Sequence, residues 1–238
     1  MRAVLFDLDG TLVDPAGAIT EGIRAAVLRH GLADPGTERL DTMVGPPLAL
    51  SLIELPGMTA ELLPSVIADY RAEYAAHGMA ASRVYPGMAE LLDGLRSSGV
   101  RLAVATSKPI DIARRLLEVQ GLAAKFDAIH GAVANETAPR AGHGKEDIVA
   151  AALAALGTAP GETVMVGDRH YDVIGAAANG LECIGVSWGY APQGELAAAG
   201  AAAVVGSAAE LGAKLGLESA DSTTGSAPAD AVPEGSVA

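Results

Sequence analysis

The sequence predicts an α/β fold, namely a doubly wound, mostly parallel sheet with an inserted all-helical segment. Two observations carry this prediction. From residue 85 to residue 217, short apolar runs alternate with amphipathic helical segments, which is typical of parallel strands joined by crossover helices. Before that, roughly 70 residues between Asp14 and Arg83 have helical spacing and no strand pattern. We therefore expect the helical segment to be inserted after the first strand.

The first strand is the uninterrupted apolar run 3–6, which is typical of a strand buried on both faces. Three helical segments follow it. Apolar residues three and four positions apart mark each of them, and glycine or proline ends them. These segments are 17–30, 48–55 and 59–77.

The alternating part begins after Tyr85-Pro86-Gly87. The predicted strands are 100–105, 126–130, 163–166, 182–186 and 202–205. The predicted helices are 88–98, 110–120, 145–156, 172–179, 195–199 and 208–217. We divide the chain into an α/β core (1–14 and 85–217), a helical domain (15–84) and a disordered tail (218–238) rich in Ser, Ala, Pro and Gly.

The composition limits the possible partners. The chain has 238 residues, a net charge of −13 and a pI near 4.7, which argues against binding a nucleic-acid polymer or an anionic membrane. A small phosphorylated metabolite stays possible, because a bound cation reverses the local field. The single cysteine, Cys183, allows no disulfide within the chain, and we expect no signal peptide or membrane span, because no long uninterrupted apolar stretch occurs. We expect a cytoplasmic protein, either a monomer or a small homo-oligomer.

Two acids, Asp7 and Asp9, follow the first strand directly. Buried carboxylates are costly unless they are paired, hydrogen-bonded or bound to a metal. Gly10 and Thr11 turn the chain and bring N–H groups close together, which suits an anion, so we expect both to bind substrate. The simpler alternative is a strand end capped by an Asx-turn.

Polar residues also follow two other predicted strands: Thr106 and Ser107 after one, Asp168 and Asp172 after another. The carboxyl ends of parallel strands meet at one edge of a sheet, so these residues should converge on Asp7. Lys145 begins the helix that precedes the strand 163–166, the strand that Asp168 follows. Several acids, a lysine and a hydroxyl suit phosphoryl transfer, in which the acids hold Mg²⁺ and one of them attacks phosphorus.

The segments DLDGT, ATSK and GDRHYD, with a lysine before a helix between the last two, resemble the four motifs of the haloacid dehalogenase superfamily. The run MVGDRHYDVIGAAANGLECIGVSWGY is similar to the phosphoglycolate phosphatase and 5′-nucleotidase-like branch. The resemblance covers residues 1–217. It implies a Rossmann-like core, a small helical cap made by the inserted segment, and Mg²⁺ as cofactor.

The resemblance also implies catalytic roles. Asp7 would take the phosphoryl group as an aspartyl-phosphate. Asp9 would be the general acid and then the general base. Lys145 would stabilise negative charge. Because dehalogenases of the superfamily lack the second aspartate, Asp9 favours phosphate-ester chemistry.

The remaining implied roles concern binding. Thr106 and the N–H of Ser107 would bind phosphoryl oxygens, and Gly45 and Pro46 resemble the substrate-facing cap loop. The implied metal ligands are Asp7, Asp9 through its carbonyl, Asp168 directly, and Asp172 through a water or by orienting Lys145.

Some positions stay open. The proline that often follows the third-motif lysine is absent here, so Lys108 is the fallback for Lys145, and the adjoining loop carries Arg140 and His143. Several other residues can also be explained without a function, as solvated, packing or connecting residues or, for Asp172, as an N-cap. They are Gly45, Pro46, Asp172, Arg169, His170, Trp188, Tyr190, Arg24, Arg71 and Arg83.

The expected activity is hydrolysis of a small phosphomonoester, either 2-phosphoglycolate-like or a nucleoside 5′-monophosphate. The rival hypotheses are a phosphotransferase that passes the phosphoryl group to a sugar or protein hydroxyl, and a partner-binding protein without turnover.

Overall fold

A computed structural model of the chain describes residues 1–133 and 144–217. The predicted tail, 218–238, lies outside the described residues, as do Arg140 and His143. Within the described residues, the predicted α/β class and the parallel sheet are confirmed.

Six parallel strands form the main sheet, in the order β5-β4-β1-β6-β7-β8. Their bounds are β1 Ala3–Phe6, β4 Arg101–Pro109, β5 Ala128–Ala132, β6 Thr163–Gly167, β7 Glu182–Val186 and β8 Ala203–Val205. In the register, Phe6 of β1 lies opposite Val104 of β4 and Val166 of β6. The residues that follow these three positions therefore reach the same edge of the sheet, which explains why the predicted motifs meet.

Helices cover both faces of this sheet. In β1, Val4 and Phe6 belong to one buried apolar cluster, and Ala3 and Leu5 belong to the other. This alternation is what a central strand between two helical layers requires. The core helices are α6 Met88–Ser97, α7 Ile110–Val119, α8 Lys145–Leu156, α9 His170–Ala178, α10 Glu195–Ala198 and α11 Ala208–Lys214.

The inserted segment is helical from Ala18 to Ala81. Its helices are α1 Ala18–Arg29, α2 Thr37–Thr42, α3 Leu48–Ile53, α4 Leu63–Glu73 and α5 Met79–Ala81, with one π-helical turn, Tyr74–Gly78, between the last two. A short antiparallel ladder joins β2 Val13–Asp14 to β3 Arg83–Val84 where the chain leaves and re-enters the core. This ladder, with α2, was not predicted, since two-residue strands and a helix with one buried residue have no periodicity to read.

Several predicted bounds differ from the structure: β4 continues to Pro109, α4 is shorter than the predicted helix 59–77, and two further differences have a clear physical reason. Helix α9 begins at His170 rather than at residue 172, because Arg169 is its N-cap residue and the Asp172 carboxylate at N3 accepts the Arg169 N–H. Asp172 is therefore not an N-cap. Strand β5 begins two residues later than predicted, and Phe126 instead packs edge-to-face against Phe6. Over the described part of the chain, no helix is long and apolar enough to cross a membrane.

Candidate active site

A buried lysine links two acids at the carboxyl edge of the sheet. Lys145 is the first residue of α8, and its Nζ lies 2.5 Å from Oδ1 of Asp7 and 2.6 Å from Oδ1 of Asp172. All three side chains are buried. Burial by itself lowers the pKa of a lysine, but the two carboxylates outweigh it and raise the pKa of Lys145. Lys145 therefore carries its charge at neutral pH, and the fallback to Lys108 is not needed for this pairing.

Asp168 is held by two donors from different parts of the chain. The Thr11 hydroxyl donates to its Oδ1 at 3.2 Å, and the Tyr190 N–H donates to its Oδ2 at 2.8 Å. The backbone of Gly189 passes so close that an added Cβ would lie 2.4 Å from the Asp168 side chain. The segment after β7 thus fixes the Asp168 carboxylate from one side and the Asp7–Thr11 turn fixes it from the other.

The site residues fit a divalent cation. Carboxylate oxygens of Asp7, Asp168 and Asp172 lie within 4.8 Å of one another. Burial, only partly offset by Lys145, raises the pKa of Asp7 to about 7, and burial together with Asp7 and Asp172 raises the pKa of Asp168 well above its usual range. Three crowded acids with one lysine leave negative charge uncompensated, and oxygen donors are what Mg²⁺ prefers.

Asp9 has a different partner. Its Oδ2 lies 2.9 Å from Nζ of Lys108, which also sits over the ring of Tyr74 at 4.4 Å. The buried Oδ1 of Asp9 accepts no hydrogen bond from any described residue. Burial opposes the charge of Lys108, but Asp9 outweighs it and raises the pKa of Lys108. One oxygen of Asp9 is therefore fixed by a cation while the other is left without a protein donor.

A cavity of about 60 Å³ lies between these strand ends and the helical segment. Asp7 and Asp9 both line it, so the two carboxylates face one space. The predicted binding residues Thr106, Ser107, Gly45 and Pro46 line it as well. The other lining residues are Ile19, Met43, Val44, Leu48, Tyr70, Arg71, Tyr74, Lys108, Pro109 and Ile112.

Gly10 and Thr11 depart from the expectation that their N–H groups bind substrate. The Gly10 N–H donates to the Val13 carbonyl at 2.9 Å, and the Thr11 N–H donates to the Leu8 carbonyl at 3.3 Å. Neither residue lines the cavity described above. The turn uses its own donors internally and acts on the site through the bond from the Thr11 hydroxyl to Asp168.

The structure assigns contacts to residues that the sequence left open. Arg169 is only 4% exposed and contacts both the inserted segment and α10. Trp188 donates its indole N–H to the Thr11 carbonyl at 3.2 Å. Arg71 lines the cavity, whereas Arg24 pairs with Glu21 and with Asp34 away from it. Arg83 lies in β3 and is exposed. No sequence pattern separates these cases, because each depends on which element covers the residue.

The sequence model of the family described as haloacid dehalogenase-like hydrolase matches residues 4–186. The chain belongs to this family. The resemblance to its phosphoglycolate phosphatase and 5′-nucleotidase-like members is also confirmed. The chain is 36% identical over 195 residues to a 5′-nucleotidase of Pseudomonas aeruginosa, covering 82% of this chain and 86% of that protein. It is 34% identical over 227 residues to a phosphoglycolate phosphatase of Rhodospirillum rubrum, covering 91% of each.

A further relative carries a different name. The chain is 42% identical over 190 residues to the tyrosine-protein kinase PtkA of Mycobacterium tuberculosis, which covers 79% of this chain. The match spans only 63% of PtkA. Among solved structures, a predicted phosphatase from Clostridium acetobutylicum superposes with a TM-score of 0.82 at 38% identity, covering 90% of this chain and 97% of that one.

Proposed function

We propose that the protein is a Mg²⁺-dependent phosphatase that hydrolyses small phosphomonoesters through an aspartyl-phosphate on Asp7. One observation carries the proposal: two buried carboxylates, each with its own lysine, line the same cavity. Asp7 is paired with Lys145, and Asp9 with Lys108. Two acids in different surroundings suit a nucleophile and a proton carrier.

In the first step, a carboxylate oxygen of Asp7 attacks phosphorus and the bond from phosphorus to the ester oxygen breaks. The proton carried by Asp9 passes to the leaving oxygen, so an alcohol departs. The Lys145 ammonium, 2.5 Å from Asp7, holds the nucleophile in place and balances the charge that gathers on the phosphoryl group.

In the second step, Asp9 takes a proton from water, and the water oxygen attacks phosphorus. The bond between phosphorus and Asp7 breaks, which releases inorganic phosphate and restores both acids. The Oδ1 atom of Asp9, which has no donor among the described residues, is the atom we assign to this proton.

Asp7, Asp168, Asp172 and the main-chain carbonyl of Asp9 are the groups that would hold Mg²⁺. When bound, the cation neutralises charge on the phosphoryl oxygens and offsets the repulsion among the three acids. Thr106 and Ser107, both buried and lining the cavity, are the residues we assign to the remaining phosphoryl oxygens.

The size of the cavity supports a substrate with a small leaving group over one whose leaving group is a nucleoside. Its volume of about 60 Å³ is well below the space that pockets for larger ligands provide, about 300 Å³ or more. Lys108 and Arg71 both line it, which suits an acidic leaving group. We therefore propose a short hydroxy-acid ester of the 2-phosphoglycolate type as substrate. The single cysteine is buried and supports the proposal of a reducing, cytoplasmic location.

The test is phosphate release from a panel of esters, with Mg²⁺ and with a chelator. The panel contains 2-phosphoglycolate, a nucleoside 5′-monophosphate and p-nitrophenyl phosphate. We expect Asp7→Asn to abolish release, and Asp34→Asn, which changes an exposed ion-paired acid, to match the wild type. A fully active Asp7→Asn variant would refute the assignment, and a preference for the nucleotide would refute the proposed leaving group.

Transfer to a hydroxyl is the second candidate, and the relation to PtkA is the observation that favours it. Only the acceptor in the second step differs from hydrolysis. Radiolabelled phosphoryl donor with added sugar or tyrosine-containing peptide separates the two. Labelled acceptor in excess over inorganic phosphate would favour transfer.

A further inference from the structure

Arg169 lies between two acids of the site, Asp168 and Asp172, yet its guanidinium reaches away from them to the inserted segment. We propose that Arg169 is a positioning residue that fastens the loop 42–46 over the cavity, so that esters with small leaving groups are favoured. This inference rests on the proposed phosphatase function, but its contacts can be tested separately.

The loop contacts come first. Nη1 of Arg169 donates to the Val44 carbonyl at 2.5 Å and to the Thr42 carbonyl at 3.5 Å. Four consecutive residues of this loop, 43–46, line the cavity. The bonds therefore act on the same piece of backbone that closes the space above Asp7 and Asp9.

The loop backbone is shaped for this approach. Gly45 has φ +104°, a conformation that side chains disfavour. A Cβ added to Gly45 would also lie 2.9 Å from Cγ of Arg169. Glycine at this position allows the loop to pack directly against the arginine stem.

The guanidinium has a fixed anchor on the core side. Glu195, in the first turn of α10, accepts from Nε of Arg169 at 2.9 Å and from Nη2 at 3.4 Å. Although burial opposes it, hydrogen bonds from Arg169 and His170 lower the pKa of Glu195 to about 2. Because Glu195 holds both Nε and Nη2, the orientation of the guanidinium is fixed. The third nitrogen, Nη1, then points to the loop and donates to it.

The same arginine is tied to the reacting groups through its backbone. Its N–H donates to Oδ2 of Asp172 at 3.0 Å, while Oδ1 of Asp172 lies 2.6 Å from Lys145. A displacement of the loop is thus resisted by the segment that also holds Lys145 against Asp7. The loop 42–46 is held by the Arg169 side chain, and Lys145, which contacts Asp7, is held by Asp172, the residue that accepts the Arg169 N–H.

This geometry makes the effect of Arg169 depend on the substrate. A small ester fits under the closed loop and gains from its contacts. An aryl ester such as p-nitrophenyl phosphate has a larger and apolar leaving group, which must displace the loop residues 43–46 that line the cavity. Releasing the loop should therefore slow hydrolysis of the small ester and leave the rate of hydrolysis of the aryl ester almost unchanged.

The experiment compares Arg169→Gln, Gly45→Ala and the control Arg101→Gln. Arg101 also donates to a main-chain carbonyl, that of Leu156, but within the core. The readouts are kcat/KM for 2-phosphoglycolate and for p-nitrophenyl phosphate, and hydrogen exchange of peptides that cover 37–53. Arg169→Gln and Gly45→Ala perturb one contact from opposite sides, so both should speed hydrogen exchange in this segment.

For both variants, we expect kcat/KM for 2-phosphoglycolate to fall about tenfold or more, which is the scale of a lost charge-assisted hydrogen bond. In Arg169→Gln, activity on p-nitrophenyl phosphate should stay within about twofold, and in both variants exchange in 37–53 should become faster. The control should change neither. Equal losses on both esters in Arg169→Gln, or an unchanged small-ester rate in that variant, would overturn the proposal.

Hydrogen exchange separates the two proposals. If the wild type hydrolyses no ester on the panel, the proposed function fails, but faster exchange in Arg169→Gln would still support the contact. Exchange that matches the wild type in both variants would overturn the role of Arg169, whatever the activity.

Discussion

Lys145 is the buried cation between Asp7 and Asp172, and Lys145→Met tests whether this pairing holds the site together. Methionine keeps the length and the apolar stem of the side chain but removes its charge. Two buried carboxylates then lose the ammonium that lies 2.5 and 2.6 Å from them. The control is Lys125→Met, because Lys125 also lies 2.5 Å from an aspartate, Asp93, whose side chain is 62% exposed.

The expected effects differ because burial differs. Removing one partner of a buried pair costs about 3–5 kcal/mol, whereas an exposed pair contributes about 0–1 kcal/mol. For a chain of this size, each kcal/mol shifts Tm by about 2–4 °C, so Lys145→Met should lower Tm by roughly 6–20 °C. Lys125→Met should lower it by no more than about 4 °C.

Thermal unfolding without metal, followed by circular dichroism at pH 5.5 and pH 8, measures both effects. Burial already raises the pKa of Asp7 to about 7, and losing Lys145 raises it further. Ionised Asp7 therefore destabilises the folded variant more at pH 8 than at pH 5.5, where a proton neutralises it. Equal Tm losses in the two lysine variants, or a Lys145→Met loss that grows at low pH, would refute the reasoning.

Three further predictions concern the acids. Asp9→Asn should slow the hydrolysis of alkyl phosphates by about 10²–10⁴-fold. The hydrolysis of aryl phosphates should slow less, because aryl leaving groups need less protonation. Equal losses of rate across a series of leaving groups would contradict this. Mg²⁺ should raise Tm more at pH 8 than at pH 6, because a proton on Asp7 competes with the metal below about pH 7. Thermal unfolding with Mg²⁺ and, as the control, with Na⁺ at both pH values measures this difference. Thr11→Val should weaken Mg²⁺ binding about 10–100-fold by calorimetry, because the hydroxyl orients Asp168, whereas Thr20→Val should not.

The sheet and the meeting of the motifs were predictable because both follow from local rules. Buried parallel strands appear in the sequence as continuous apolar runs, and their carboxyl ends share one edge. The register that places Phe6 opposite Val104 and Val166 is enough to bring Asp7 close to the motifs after those strands. Lys145 was expected at this edge from its place at the start of α8, and in the structure its Nζ lies beside Asp7 and Asp172.

The side-chain partners were not predictable from the same rules. Asp9 pairs with Lys108 rather than with Lys145, because the chain after Thr106 continues as strand to Pro109 and carries Lys108 into the cavity lining. The sequence leaves the role of Arg169 open, because its partners, Val44 and Glu195, come from distant segments. Contacts between elements depend on how a helical segment lies over a sheet, which periodicity does not encode.

The charges in the site divide it into two electrically different halves. Around Lys145, three acids lie close to one cation, and burial together with the neighbouring acids raises the pKa of both Asp7 and Asp168. Around Lys108, one acid faces one cation. The first half gains from a divalent cation, and a bound cation in turn attracts a phosphoryl group. In the second half one acid and one cation balance each other, which suits the proposed role of Asp9 as a proton carrier beside the proposed nucleophile Asp7.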